Sequence, residues 1–206
     1  MIAIIDYGMG NLRSVQKACQ YVGCDAVVTS DAEKIKSADR LILPGVGAAR
    51  DAIENLKKKE LWQLILDQAA AGKPLLGICL GMQLLFDKSF EYGEHAGLGL
   101  IPGEVCPLAD DLTDASLKVP HIGWNALDIV PGRENDPLFK YLKNGEYVYY
   151  VHSYYAKNCA ASTLATSEYS IPVTGAVRSG NVYGTQFHPE KSGDTGLRLL
   201  KAFAEL

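Results

Sequence analysis

No stretch of this chain strings together the roughly 18 uncharged apolar residues that a membrane-crossing helix needs. A helical membrane protein is excluded. A surplus of positive charge is also missing: 20 Lys and Arg stand against 24 Asp and Glu, a formal net charge of -4, with no like-charge run beyond Lys57-Lys58-Lys59. That argues against a basic face gripping nucleic acid. There is no C-x-x-C pair and no His/Cys cluster at zinc spacing, and the cysteine count of 5 is odd, so neither a disulfide framework nor a bound metal is expected. Internal repeats and low-complexity linkers are absent too, which leaves no natural place to cut the chain and predicts one domain over residues 1–206. Met1–Asp6 is short and lacks the basic start of a signal peptide, so a cytoplasmic location is expected.

What the chain does have is apolar material in a regular order. Hydrophobic residues make up 48% of the 206, enough for a full core. Ile2-Ala3-Ile4-Ile5, Ala26-Val27-Val28, Leu41-Ile42-Leu43 and Leu75 to Ile78 are short apolar runs. Between them lie helix-like stretches: Leu12, Val15, Ala18, Cys19 and Val22 at helical spacing behind Asn11 as a cap, then Ala49 to Lys57, then Leu61 to Ala71. Unbroken apolar strands alternating with helices predict an α/β fold with a mostly parallel open sheet covered on both faces. Working loops then lie at the carboxyl ends of its strands. The second half predicts strand after strand (Trp124 to Val130, Glu146 to Val151, Ser162 to Thr166, Val173 to Val177). A hairpin through Ser179-Gly180-Asn181 adds an antiparallel portion, and a closing helix runs from about Thr195 to Ala204.

The most informative segment is Leu75-Leu76-Gly77-Ile78-Cys79-Leu80-Gly81-Met82-Gln83. An apolar strand runs into a cysteine flanked at two residues by glycine on either side, then into a helix-forming stretch. This is the pattern of a nucleophile elbow, in which the reactive residue sits on a strained turn too crowded for side chains at the flanks. The start of a helix adds a dipole that favours the thiolate. A thiol nucleophile needs a base that later returns the proton, and histidine suits both tasks. His95 sits in a polar loop, and His121 and His152 in aromatic surroundings suit a core or an interface. His188 differs, because Gln186-Phe187-His188-Pro189-Glu190 places a carboxylate two residues on, at a strand end, where it shares a face with the imidazole. Cys79, His188 and Glu190 in that order fit cysteine acyl chemistry. The amide of Leu80 supplies one oxyanion donor. Pro44-Gly45-Val46-Gly47 supplies either the second or a plain strand-to-helix turn.

These residues resemble the triad (class I) glutamine amidotransferases, and the resemblance covers the whole chain. Gly77, Cys79, Gly81, Gln83, His188 and Glu190 carry it. Further segments are similar to the glutaminase subunits of imidazole glycerol phosphate synthases: Asp6 to Val15, Pro44 to Ala48, Pro120 to Asn125 and Val151 to Tyr155. The resemblance implies that Gly47, Gln83, Glu91, Ser153 and Tyr154 contact glutamine and that Val46 is a movable oxyanion amide. Asn11, Pro120, His121, Trp124, Tyr149 and Lys191 then face a partner, a (β/α)8 cyclase that consumes the ammonia in a heterodimer. No cofactor or metal is implied. From the residues themselves Trp124 suits packing as well as an interface, and Asp87, Glu91 and Glu94 compete for one role. A glutaminase subunit of another complex, a lone cysteine hydrolase and a catalytically dead binding module are the rival readings.

Overall fold

The structure, a computed structural model, describes residues 1–206. The apolar runs of the first half form β1 (Ile2–Ile5), β2 (Ala26–Thr29), β3 (Arg40–Gly45) and β4 (Leu75–Cys79). Between them come α1 (Leu12–Tyr21), α2 (Ala32–Ser37), α3 (Ala49–Lys58) and α4 (Leu61–Ala70). Parallel pairing sets these strands in the order β2-β1-β3-β4. Alternation within each strand feeds two cores. Ala3, Ile5, Leu41, Leu43 and Leu75 pack on one face with Ile53, Leu56, Leu64 and Ile65 of α3 and α4. Ile2, Ile4, Ile42, Leu76 and Ile78 pack on the other with Val15, Ala18 and Cys19 of α1 and with Leu199, Leu200 and Phe203 of the last helix. Each buried aliphatic side chain stabilises by about 1.5–3 kcal/mol, which fixes the sheet as the frame of the molecule.

Cys79 leads into a single helical turn, α5 (Leu80–Gln83), and the chain then enters β5 (Phe86–Ser89), β6 (His95–Ala96) and β7 (Ile101–Pro107). There follow β8 (His121–Ile129), β9 (Glu146–His152), β10 (Tyr154–Lys157), β11 (Thr163–Glu168), β12 (Pro172–Ser179) and β13 (Val182–Thr185), closed by α6 (Gly193–Ala204). The hairpin of β12 and β13 is present, with Ser179 opposite Val182. Because β13 pairs parallel with β4, the antiparallel strands continue the main sheet, giving one nine-stranded sheet β2-β1-β3-β4-β13-β12-β11-β8-β9. A second sheet, β10-β7-β5-β6, packs Phe86, Ile101, Val105 and Ala156 into the first core.

Two local expectations change. Asn11 does occupy the N-cap position of α1, but its side chain makes no capping hydrogen bond and α1 starts without one. The helix α2 had no apolar period to reveal it: Ile35 is its one buried residue, and its start is fixed by Asp31, whose side chain accepts from the amides of Glu33 and Lys34. No helix is long and apolar enough to cross a membrane.

Candidate active site

Cys79 ends β4 with φ 53 and ψ -111, a positive φ that a non-glycine residue holds only when its surroundings impose it. The flanking glycines are the surroundings. A Cβ on Gly77 would stand 2.6 Å from the carbonyl oxygen of Gly81, and a Cβ on Gly81 only 1.8 Å from that of Leu43 in β3. The strand and the turn therefore touch backbone to backbone, and the cysteine is driven onto the bend. With α5 a single turn, few peptide dipoles align behind the sulfur. Charge on the thiol must be held mainly by side chains, a correction to the helix-dipole reading.

Four strand ends and one loop meet over the sulfur. The sheet curls far enough that the Val151 carbonyl at the end of β9 lies 3.9 Å from Cys79 Sγ, which points toward it. The turn after β13 brings His188, whose Nδ1 lies 2.8 Å from Glu190 Oε1, with both side chains almost wholly buried. The route to that contact differs from the expected one. β13 stops at Thr185, and Pro189–Lys191 forms a 3-10 turn that folds the carboxylate back onto the ring. Edge strand β9 anchors the turn: the His188 amide donates to Tyr149 O at 3.0 Å. Ser192 Oγ donates to His188 O at 2.7 Å and accepts from the Tyr149 amide at 2.9 Å.

Electrostatics single out one histidine of the four. Burial pushes His121 down to about 4 and His152 down to about 3, so both rings are neutral at physiological pH. Burial works against the charged form of His188 as well, but the hydrogen-bonding capacity and charge of Cys79 and Glu190 outweigh it and raise this ring to about 9. His188 is thus an imidazolium at neutral pH. Its Nε2 is buried and takes no partner at hydrogen-bond geometry, because the thiol leans toward Val151. Resting sites of this kind are commonly slack until substrate arrives. The stability this charge contributes is fully present below about pH 6.5 and is lost as pH rises through about 9.

The cavity over these groups holds about 310 Å³. Cys79, Leu80, His188, Val46, Gly47, Gln83, Glu91, Ser153, Tyr154 and Lys191 of the expected residues line it, whereas Asn11, Pro120, Trp124 and Tyr149 do not. Glu190 stands behind His188, and His121 stands behind His152, with its Nδ1 3.1 Å from His152 Nε2. Of Asp87, Glu91 and Glu94, Glu91 is the one that lines this cavity, and its Oε2 accepts from the Ala49 amide at 2.6 Å. It thereby caps α3, which has no cap of its own, and ties down the Gly45–Ala48 loop. Burial raises the Glu91 carboxyl above its ordinary value. In that loop Val46 is 41% exposed, Gly47 has φ +94, and neither amide donates to a backbone or side-chain acceptor. Tyr7 holds the loop's base, donating to Pro44 O at 2.9 Å. No three His, Cys, Asp or Glu side chains converge as a metal site.

Sequence reasoning missed Tyr92 and Val151 on the cavity wall, and Gln186 beneath it. The amide of Gln186 is fully buried, with Nε2 3.7 Å from Cys79 Sγ. No sequence signal pointed to it, since Gln186 lies past the end of β13 at Thr185 and strand alternation with His188 does not apply.

A profile of the glutamine amidotransferase class-I family matches residues 3–205. The chain belongs to the class-I glutamine amidotransferases. Among its relatives is the imidazole glycerol phosphate synthase subunit HisH of Caldanaerobacter subterraneus, 52% identical over 100% of this chain and 98% of that one. The HisH subunit of Lacticaseibacillus casei is 51% identical over 100% of this chain and 96% of that one. A crystal structure described as a glutamine amidotransferase superposes with a TM-score of 0.75 at 19% identity, covering 100% of both chains, and shares the amidotransferase fold.

Proposed function

We propose that this amidotransferase, one domain over residues 1–206, is the glutaminase subunit of a cytoplasmic imidazole glycerol phosphate synthase and forms a heterodimer with a (β/α)8 cyclase. The observation that carries the chemistry is a strained cysteine and a charged His188 sharing one cavity, with Glu190 behind the ring. The name of relatives about half identical over their whole length supplies the pathway.

In this reading glutamine binds with its side-chain amide over Cys79 and its α-amino acid end toward Glu91, Ser153 and Tyr154. The sulfur attacks the amide carbon, and the amides of Leu80 and Val46 hold the oxyanion. His188 gives its proton to the amide nitrogen, ammonia leaves, and a glutamyl thioester remains. His188 then deprotonates a water molecule, which attacks the thioester carbon. Glutamate departs and the proton returns to the sulfur–imidazole pair. Glu190 keeps the ring oriented throughout and favours its charged form whenever it carries the proton.

Ammonia must reach the cyclase before it picks up a proton and escapes. The outward face of β8 and β9 is apolar beside the cavity: Ile122 is 58% exposed, Trp124 54% and Tyr147 60%. Trp124 and Tyr149 pair across the two strands with ring centroids 5.9 Å apart. That exposure removes the core reading of Trp124 and supports a docking face, to which the resemblance would add Asn11, Pro120 and Lys191. The test is reconstitution: mixed with a cyclase subunit, the chain should support synthesis of imidazole glycerol phosphate from glutamine. No stimulation by glutamine in a complex that does form would refute it.

Two consequences are measurable on the same preparation. Glutamine turnover should fall as pH rises through about 9, where His188 gives up the proton that departing ammonia needs. Alkylation of Cys79 requires only charge on sulfur and should not fall there. In Glu190→Gln the alkaline limb of turnover should move down by roughly one pH unit, since Glu190 is among the groups holding the proton on. An unmoved limb would show that the carboxylate does not set the ring's charge. Turnover should also be at least about tenfold lower for the chain alone than with the cyclase. The loop is anchored at its two ends, but the amides of Val46 and Gly47 between them make no hydrogen bond that would fix their direction in the free chain. Equal turnover with and without partner would count against this.

A further inference from the structure

Below the cavity lies a chain of side-chain amides that the mechanism above leaves unused. It starts at the carbonyl oxygen of Tyr154, a pure acceptor whose two lone pairs are both taken. His152 Nδ1 lies 2.9 Å from it, and Gln83 Nε2 donates to it at 3.0 Å. That contact fixes the orientation of the Gln83 amide, because only its nitrogen can face a carbonyl oxygen. The second Gln83 N–H then donates to Gln186 Oε1 at 3.0 Å. With its oxygen committed, Gln186 turns its nitrogen toward Cys79 Sγ at 3.7 Å. One backbone carbonyl therefore determines what the sulfur meets. Gln186 is 0% exposed, and its backbone amide is held by Gly175 O at 2.8 Å, so the side chain has little freedom to turn away.

We propose that Gln186 is a positioning residue for the Cys79 thiolate: its Nε2–H donates to the sulfur from below, and Gln83 and the Tyr154 carbonyl lock it in that direction. This rests on the reading of Cys79 as the nucleophile. A thiolate on a strained bend needs donors, and the one-turn helix α5 supplies little field. His188 faces the sulfur as a cation but must surrender its proton to ammonia in every turnover. Gln186 is a neutral donor that cannot be titrated away, so it holds the free thiolate before attack and again as the thioester is cleaved, whatever the charge on His188. Gln83, in turn, spends both of its N–H groups on the protein, which leaves its oxygen as the group it can show to substrate.

The titratable groups around the sulfur come from every packed element. His188 and Glu190 lie on the turn after β13, His152 on β9, Tyr7 after β1, and Glu91 and Lys191 at the cavity rim. Of these, His152 and Tyr7 are neutral across the working range. A shift in the thiol profile on changing Gln186 is therefore not a change in their charge.

The experiment is the pH dependence of Cys79 alkylation by iodoacetamide in the full chain, for wild type, Gln186→Glu and Gln186→Leu, with circular dichroism as the check of folding. Replacing a donor by an acceptor of the same shape should raise the midpoint of the profile and slow alkylation at pH 7 by about ten- to a hundredfold, the range for a lost hydrogen bond to a charged group. Gln186→Leu should shift it in the same direction by less. Folded variants with the wild-type profile would overturn the proposal. Wild-type protein gives a second reading that needs no substitution at Gln186. With glutamine side chains labelled with nitrogen-15, the Gln186 amide signal should move through the alkylation midpoint and stop moving in Cys79→Ala. A Gln186 signal indifferent to the thiol would overturn the proposal even if both Gln186 variants fail to fold. Alkylation reads the sulfur whether or not glutamine is the substrate, so this idea and the proposed function fail separately.

Discussion

Replacing Cys79 with alanine is expected to lower glutamine-dependent synthesis in the cyclase complex by on the order of 10⁴-fold or more, the scale seen when a covalent nucleophile is removed. Synthesis from added ammonium salt should stay within about twofold of wild type, a difference too small to reflect loss of a catalytic interaction. The two arms separate because the substitution removes one sulfur atom from a side chain that is 7% exposed and leaves the φ 53 bend otherwise intact. The glutaminase loses its chemistry while the docking face of β8 and β9 is untouched. Steady-state rates with each nitrogen source decide it. Glutamine use that survives in Cys79→Ala would move the nucleophile elsewhere, and loss of both activities would mean that the substitution breaks the complex.

Gly81→Ala is expected to have the largest effect on stability of any glycine substitution at the site. Its Cβ would lie 1.8 Å from the Leu43 carbonyl oxygen, in a place where β3, β4 and α5 meet backbone to backbone and no flexible side chain can yield. Separating those elements to an ordinary contact distance disrupts the central sheet, at a cost of roughly 3 kcal/mol or more. Against a total stability of about 5–15 kcal/mol, that is enough to lower the melting temperature by many degrees or to prevent folding. Gly132→Ala is the control. Gly132 has φ +87 with nothing within 4 Å of the added atom, so it carries only the left-handed penalty of about 1–2 kcal/mol. Thermal melts of the two variants should differ widely. Similar melting temperatures would show that the close approach at Gly81 relaxes without consequence.

The contrast between these glycines marks what could be read from the chain and what could not. Apolar runs such as Ile2–Ile5 and Leu75–Cys79 are central strands because nothing in them tolerates water, and that is visible residue by residue. The second sheet is not. β7 contains Pro102, Gly103, Glu104 and Pro107, and β5 has no alternation, with buried Phe86 and Ser89 at its ends and more accessible Asp87 and Lys88 side by side between them. Those strands exist because they cover a core made by distant residues. The same holds at the site. Cys79, His188 and Glu190 announce themselves by local spacing. The neutrality of His121 and His152 and the direction of the Gln186 amide depend on which groups the fold buries together, and no window of sequence contains that information. Trp124 shows the reverse: its ambiguity between core and surface ends once β8 is seen to turn it outward.

The most direct test of the central claim is covalent trapping. The cyclase complex is incubated with a glutamine analogue that carries a diazoketone or chloroketone in place of the side-chain amide, and the labelled peptide is identified by mass spectrometry with and without excess glutamine. The expected result is a single adduct on Cys79, suppressed by glutamine, with loss of glutamine-dependent but not ammonia-dependent synthesis. An adduct on Cys19, Cys24, Cys106 or Cys159 instead, or labelling of Cys79 that glutamine does not slow, would contradict it.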